Sequence, residues 1–216
     1  HKVLQRLKGL KIDNVILEAS SHGLHQSRLD NISFKTAIFT NLSMEHLDYH
    51  KNIKNYLNAK LYLFKELLDL KGNIIFDETI NQSKQLDIIT KKRRLKKYTF
   101  GSSKSFIKII EIQKFNDQKQ IIFTLNKKKY SFRTSLLGKI QVKNLMFAIV
   151  AAYLSKLKIN RILKSIQKVK PIDGRLENIG NLKNNSKVIL DYAHTPNALQ
   201  TVILNIKEEF PLSKIS

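Results

Sequence analysis

Two short apolar runs near the amino terminus each continue directly into polar, potentially reactive side chains. Residues 14–17 form the first run, which is followed by Glu18, and Phe34–Thr40 forms the second, which is followed by Asn41. Short apolar runs bounded by polar residues are typical of buried strands. In open α/β sheets, ligands bind beyond the carboxyl ends of the strands. The sequence therefore predicts an α/β fold with a mostly parallel sheet flanked by helices, and a functional site where these two strands end.

The pattern downstream predicts further elements of the same fold. Apolar residues recur at three- and four-residue steps over Ile53–Leu70, which indicates an amphipathic helix ended by Lys71-Gly72-Asn73, and residues 73–77 then predict a strand. Short β-prone runs between residues 96 and 136, with a turn at Asn126-Lys127-Lys128, indicate a small antiparallel β insertion.

Helical periodicity then returns and is followed by a last strand and helix. The predicted elements are helices over Ile140–Leu157 and Ile159–Val169, a strand over residues 187–190 that ends at Asp191, and a helix from Pro196 to about Phe210.

The chain is strongly basic, with 39 Lys and Arg against 17 Asp and Glu and a net charge of +22. Such an excess fits a polyanionic partner, either nucleic acid or a nucleotide. Lys, Asn and Ile are all abundant, however, so we favour compositional bias. The densest basic run, residues 91–97, lacks regularly interleaved aromatic residues that would stack on bases, and we interpret it as a solvated edge or turn. We expect no nucleic-acid partner.

Composition also excludes several classes of protein. The chain has no cysteine, which rules out disulfides and Cys-ligated zinc. No run approaches the ~20 apolar residues of a membrane span, and no basic-then-apolar signal segment is present. We expect a cytoplasmic monomer without a membrane partner, and a start at His1 suggests a fragment or a processed chain.

Carboxylate and imidazole side chains cluster after the two predicted amino-terminal strands. They are Glu18, Glu45, His46, Asp48 and His50. Such groups can bind a metal ion, but Asp48 and Asn52 could equally cap the following helix. Neither glycine-rich phosphate-binding pattern, G-x-x-x-x-G-K-[ST] or G-x-G-x-x-G, occurs in the chain.

Lys60 lies four residues from both Tyr56 and Phe64 on the predicted helix. A lysine in this position is usually a surface residue whose stem covers apolar side chains. Burial would instead lower its pKa, and the neutral amine could react with carbon dioxide to form a carbamate. Further along, Arg175 could neutralise a phosphate and Asp191 could accept hydrogen bonds from a ribose, although a turn and a helix start would explain both.

Five motifs occur in one order along the chain: L-E-A-S-S-H-G-L-H-Q-S-R, T-N-L-S-M-E-H-L-D-Y-H, Y-L-N-A-K, G-R-L-E and D-Y-A-H-T-P-N-A-L. In this order they resemble the UDP-N-acetylmuramoyl-tripeptide synthetase branch of the Mur ligases. The resemblance implies that residues 1–210 are the central, ATP-binding domain without its P-loop, and that 211–216 begin a carboxyl-terminal domain. Folylpolyglutamate synthetase, a more distant alternative, shares only looser versions of these motifs.

The resemblance also implies a reaction and a set of site residues. ATP would activate UDP-N-acetylmuramoyl-L-alanyl-D-glutamate as an acyl phosphate, and the amine of meso-diaminopimelate or L-lysine would attack it. The implied roles are substrate binding by Ser20, Gln26 and Arg28, Mg²⁺ binding by Glu18, His46 and carbamylated Lys60, adenine contact by Asn144, ATP contact by Arg175 and Asp191, and a position near the phosphates for His194.

Three positions depart from the family pattern, and the phosphate loop is missing. Met44, Glu45 and Gln141 stand where the family usually has Arg, Asp and Asn. Without a P-loop the γ-phosphate lacks its cradle, so we expect the chain alone to bind ATP weakly or not at all and to be inactive.

Overall fold

A six-stranded sheet, in the order β1-β2-β3-β4-β5-β6, forms the centre of the fold. The computed structural model describes residues 2–115, 118–184 and 186–216. The strands are β1 (Phe34–Phe39), β2 (Leu68–Asp77), β3 (Lys96–Phe100), β4 (Ile107–Phe115), β5 (Gln118–Leu125) and β6 (Lys128–Thr134). Strands β1 to β4 run parallel to their neighbours, whereas β4 to β6 pair antiparallel. The predicted α/β class is confirmed. The antiparallel part is confined to β4–β6 and is continuous with the parallel part, whereas β3, predicted as part of the antiparallel insertion, pairs parallel with β2 and β4.

Helices cover both faces of this sheet. They are α1 (Lys2–Gly9), α2 (Ser21–His25), α3 (Leu47–His50), α4 (Ile53–Tyr62), α5 (Ser83–Lys92), α6 (Gly138–Leu154), α7 (Ile159–Ile166) and α8 (Pro196–Glu209). A π-helical turn, Leu63–Leu67, extends α4. Strands β7 (Glu177–Asn181) and β8 (Lys187–Leu190) form a separate antiparallel pair. No helix in the described part of the chain is long and apolar enough to cross a membrane.

Strand β2 lies between two apolar cores. Ile75 packs with residues of α6 and α7, whereas Ile74 and Phe76 pack with residues of α2, α4 and α5. All three side chains are fully buried. A parallel strand that is covered on both faces requires such an uninterrupted apolar run, which is why this strand could be predicted.

The hairpin between β5 and β6 turns at Asn126 and Lys127. Both residues have positive φ, 47° and 66°. Two-residue hairpins favour this left-handed backbone because its twist matches that of the flanking strands, and asparagine tolerates it better than most residues. The predicted turn is therefore confirmed, with Lys128 already in β6.

The predicted strand over residues 14–17 was wrong. These residues form neither helix nor strand, and Ile16 is completely exposed. A strand requires hydrogen bonds from a neighbouring strand, and among the described residues β1 pairs only with β2.

The predicted end of the long helix was also wrong. The α-helix stops at Tyr62, and Leu68 already pairs with Phe34 in the sheet, so Gly72 lies within β2. Leu61, Phe64, Leu67 and Leu68 are nonetheless buried, because the π-helical turn and the strand pack against the same core, whereas Ile53 and Leu70 are exposed. The basic run over residues 91–97, predicted as a solvated edge or turn, turns at Arg93 and Arg94 between the end of α5 and the start of β3, and most of its basic side chains are exposed.

Candidate functional site

Four of the six histidines of the chain lie together with two tyrosines beyond the carboxyl end of β1. This imidazole cluster consists of His22, His25, His46, His50, Tyr49 and Tyr56. The ring centroids of His22 and His46 are 5.0 Å apart, and His50 stacks on Tyr56 at 5.1 Å. The spacings of the histidines in sequence, three residues on α2 and four across α3, place each pair on one helical face.

His50 is the buried member of the imidazole cluster. Its Nε2 lies 3.0 Å from the Oγ of Ser21, the first residue of α2. Burial lowers the pKa of His50, and the neighbouring imidazoles of His22 and His25 lower it further. The lowered pKa favours the neutral ring, in which one nitrogen is a donor and the other an acceptor.

The three residues expected to bind the muramoyl substrate lie around the short helix α2. Ser20 caps its amino terminus by accepting a hydrogen bond from the backbone of Gly23 at 3.1 Å. Gln26 caps its carboxyl terminus and donates its side-chain amide to the hydroxyl of Tyr49, also at 3.1 Å. Arg28 is exposed in the turn that follows the helix.

A cavity of about 460 Å³ opens beside α2 and α4. Its lining includes His25, Tyr49 and His50 from the imidazole cluster, with Asn55 and Asn58 from α4. Imidazole, phenol and amide groups can all form hydrogen bonds, so the cavity suits a polar ligand.

Lys60 extends from α4 toward the end of β1. Its Nζ donates to the carbonyl of Asn41 at 2.9 Å and lies 5.8 Å and 5.2 Å from the ring centroids of Phe39 and Tyr56. Burial lowers the pKa of Lys60, and the carboxylate of Glu45 only partly opposes this effect. The sequence left a surface or a buried lysine open, and in the structure Lys60 is half-buried.

The two other expected metal ligands lie in different surroundings. Glu18 is exposed on the irregular segment before α2, whereas His46 begins α3 with a positive φ of 56° and contacts His22. Within residues 2–115, 118–184 and 186–216, no group of three or more His, Asp or Glu side chains is arranged to hold a metal ion. The assignment of Glu18 and His46 to a metal therefore stays a prediction.

Asp191 holds two turns together. One carboxylate oxygen accepts from the backbone of Leu176 and the other from Ala193, both at 2.8 Å. The guanidinium of Arg175 lies 5.4 Å from the ring centroid of Tyr192. These two turns are residues 174–177 and residues 191–195, and we refer to them together as the Asp191 turn. A carboxylate has about four acceptor positions, so Asp191 can still accept from a ribose hydroxyl.

The remaining expected nucleotide contacts lie close to the Asp191 turn or on the helix that packs beside it. His194 belongs to the turn and is exposed, with its Nδ1 2.9 Å from the carbonyl of Tyr192. Asn144 is exposed on α6, and Gln141, one turn earlier, donates its side-chain amide to the carbonyl of Arg175 at 3.0 Å.

A charged pair that the sequence analysis missed lies at the carboxyl end of β2. Lys143 of α6 pairs with Asp77 at 2.6 Å, and Thr79 donates both its amide and its hydroxyl to the same carboxylate. Burial alone would raise the pKa of Asp77, but the hydrogen bonds from Lys143 and Thr79 hold it below its ordinary value. The sequence carried one signal for this pair, an aspartate at the end of an apolar strand.

Comparison with protein families identifies the group to which this arrangement belongs. The model of the Mur ligase middle domain matches residues 1–152. The chain belongs to the Mur ligase family. The placement of the domain boundary at residue 210 stays a prediction.

The relatives of this Mur ligase chain include curated UDP-N-acetylmuramoyl-L-alanyl-D-glutamate–2,6-diaminopimelate ligases. Those of Rickettsia bellii and Wigglesworthia glossinidia brevipalpis are each 34% identical to it, over 95% and 97% of this chain. The chain spans 42% of the length of each.

Solved structures of Mur ligases share the fold. A UDP-N-acetylmuramoyl-L-alanyl-D-glutamate–2,6-diaminopimelate ligase superposes with a TM-score of 0.73 at 26% identity, over 88% of this chain and 39% of that one. A folylpolyglutamate synthetase from L. casei superposes with a TM-score of 0.67 at 14% identity, over 84% of this chain and 44% of that one, and shows likeness of fold alone.

Proposed function

We propose that this chain is part of an ATP-dependent amide ligase that extends UDP-N-acetylmuramoyl-L-alanyl-D-glutamate by one diamino acid in peptidoglycan synthesis. The names of its relatives favour 2,6-diaminopimelate over L-lysine as that amino acid. The observation that carries the proposal is the half-buried amine of Lys60 between Phe39 and Tyr56 at the end of β1.

The environment of Lys60 suits a carbamate. A lowered pKa leaves more of the amine neutral, and only the neutral amine adds to carbon dioxide, with release of a proton. The carbamate nitrogen keeps one hydrogen, so its hydrogen bond to the carbonyl of Asn41 can persist. The product replaces a cation with an anionic oxygen pair, the kind of ligand that Mg²⁺ prefers.

Carboxylate and carbamate oxygens suit a magnesium site, and the family resemblance adds one imidazole to them. Glu18, His46 and carbamylated Lys60 would hold the ions, which when bound would offset the negative charge of ATP and of the substrate carboxylate. A cationic Lys60 would repel such ions, which explains the use of a carbamate.

The proposed reaction has two steps. The γ-phosphoryl group of ATP moves to the D-glutamyl carboxylate, which gives an acyl phosphate and ADP. The amine of the incoming amino acid then attacks the acyl carbon, and the tetrahedral intermediate expels phosphate as the nitrogen loses a proton. We assign substrate binding to Ser20, Gln26 and Arg28, and ATP contacts to Asn144, Arg175, Asp191 and His194.

Isotopically labelled bicarbonate tests the assignment of Lys60 directly on this chain. We expect a carbamate carbonyl signal in the carbon NMR spectrum, which Lys60→Ala removes and Lys54→Ala, an exposed lysine on the same helix, retains. In the native gene product that contains this chain, Lys60→Ala should abolish formation of ADP and amide, and a short carboxylic acid should partly restore it. A fully active Lys60→Ala enzyme would refute the proposal.

A further inference from the structure

Lys119 is buried on β5, although none of the roles assigned above uses it. Its side chain is 6% exposed, and its Nζ lies 2.6 Å from Oε2 of Glu209, the last residue of α8, whose side chain is 13% exposed. Ions are rarely buried unless they are paired, because desolvation is costly. The pair therefore requires an explanation.

Glu209 joins α8 to the start of α6. The same Oε2 accepts from the backbone of Gly138, the first residue of α6, at 3.2 Å. Asn205 of α8 accepts from the backbone of Lys139 at 2.9 Å. Lys114 of β4 donates to the carbonyls of Glu208 and Glu209, both at 2.9 Å. The end of α8 is thus fixed to three elements by polar contacts.

Apolar packing at this junction is incomplete, because Val202, Ile203 and Ile206 of α8 are only half-buried. The residue of α8 that is buried is Asn205, while Leu199 and Leu204 remain about half exposed. The junction also leaves no space beside Gly138, whose φ is +75°, because an added Cβ would lie 2.7 Å from Leu176 and 2.9 Å from Asn205. The charged and polar contacts of Glu209 and Asn205 therefore contribute to where α8 lies against α6.

The position of α8 in turn affects the proposed ATP contacts. Helix α8 begins directly after the Asp191 turn, and Leu176 of that turn contacts the α6–α8 junction at Gly138. Asn144 lies on α6. The distance between Asn144, the proposed adenine contact, and the proposed ATP contacts Arg175 and Asp191 therefore depends on how α8 packs against α6.

From this geometry we infer that Lys119 and Glu209 are positioning residues for nucleotide binding, which act by fixing α8 and the Asp191 turn against α6. This inference rests on the proposed function, because it takes Asn144, Arg175 and Asp191 as ATP contacts. Neither Lys119 nor Glu209 is assigned a contact with ATP itself.

Hydrogen exchange on this chain tests the structural part of the inference without any nucleotide. We expect Lys119→Met and Glu209→Gln to accelerate exchange at the amides of Leu176 and Ala193, which donate to Asp191. Lys139→Met is the matched control, because it removes only the exposed ion pair of Lys139 with Glu208. Unchanged exchange in both test variants would overturn the inference.

Steady-state kinetics of the native gene product test the functional part. We expect the KM for ATP to rise by roughly tenfold in each single variant, while kcat and the KM for the muramoyl substrate change little. The double variant Lys119→Met/Glu209→Gln leaves no unpaired charge. Its KM for ATP should be no higher than that of the more affected single variant, since the two residues act as one unit.

The outcomes separate the two proposals. A lower kcat with an unchanged KM for ATP, or strictly additive effects, would overturn the positioning role while leaving the ligase assignment intact. A wild-type gene product that consumes no ATP would overturn the ligase assignment and the nucleotide role together.

Discussion

The side-chain amide of Gln141 donates to the main-chain carbonyl of Arg175 at 3.0 Å, and so links α6 to the Asp191 turn. Gln141 is buried, with 8% of its surface exposed. Glutamine stands here where the family resemblance leads one to expect asparagine. The amide of asparagine is one methylene closer to its own backbone. The longer glutamine side chain is therefore what reaches the carbonyl of Arg175 in this chain.

Replacing Gln141 by Ala should lower the free energy of unfolding by about 1 kcal/mol, because the carbonyl of Arg175 loses its donor. Chemical denaturation of this chain measures the change. Asn144→Ala, an exposed position one turn along the same helix, serves as the control and should not lower the midpoint, because alanine is the better helix former. Equal midpoints for Gln141→Ala and wild type would show that the hydrogen bond contributes nothing to stability.

The pair formed by Asp77 and Lys143 should make stability depend on pH. The pKa of Asp77 is held below its ordinary value of 3.8, so the unfolded chain binds the proton more readily than the folded one. The contribution of the pair is therefore complete above this value and is lost as the pH falls through the lower pKa of the folded state. At neutral pH, Asp77→Asn should reduce the free energy of unfolding by roughly 2 kcal/mol.

Denaturation curves for wild type and Asp77→Asn between neutral and strongly acidic pH test this expectation. The difference between the two proteins should shrink as the solution is acidified. Asp87→Asn, which removes an exposed pair with Lys97, should have little effect at any pH. A difference that stays constant down to acidic pH would mean that Asp77 acts through packing alone.

Tyr49→Phe should weaken binding of the muramoyl substrate. The hydroxyl of Tyr49 accepts from Gln26 and lies 3.0 Å from Nδ1 of His25, so its loss frees both side chains to leave their present orientation. We expect the dissociation constant of UDP-N-acetylmuramoyl-L-alanyl-D-glutamate to rise by roughly fivefold, measured by calorimetry on the native gene product. Tyr153→Phe, on α6, is the control, and an unchanged affinity for Tyr49→Phe would exclude this role.

The parts of the fold that were predicted correctly are those with a local signal. The strand Phe34–Phe39, the turn at Asn126 and Lys127, and the start of α8 at Pro196 each follow from pattern or backbone preference. Strand β7 was missed because Glu177–Asn181 is polar and largely exposed, so that only its pairing with β8 makes it a strand. Strand pairing depends on residues that are distant in sequence, so it produces no periodic pattern of apolar residues within the strand itself.

The candidate site likewise combines residues that a local motif indicates with contacts that only the folded chain forms. Motifs indicated Ser20, Gln26 and Lys60, but no local pattern places His22 of α2 against His46 of α3 or brings Lys143 to Asp77. These contacts arise only when helices from separate parts of the chain pack together. Sequence spacing could therefore identify the reactive residue types but not their partners.

The position of β2 between the two cores has a consequence for how the molecule unfolds. Ile75 belongs to one core, and Ile74 and Phe76 belong to the other. If the helices on either face of the sheet unfolded, one face of β2 would be exposed to solvent, and the core on the other face would lose the support of this strand. The six-stranded sheet and its helices should therefore melt in one cooperative transition, whereas the β7–β8 pair, which lends no strand to this sheet, can open at lower free energy. A local opening of that kind would release the Asp191 turn while the imidazole cluster stays folded.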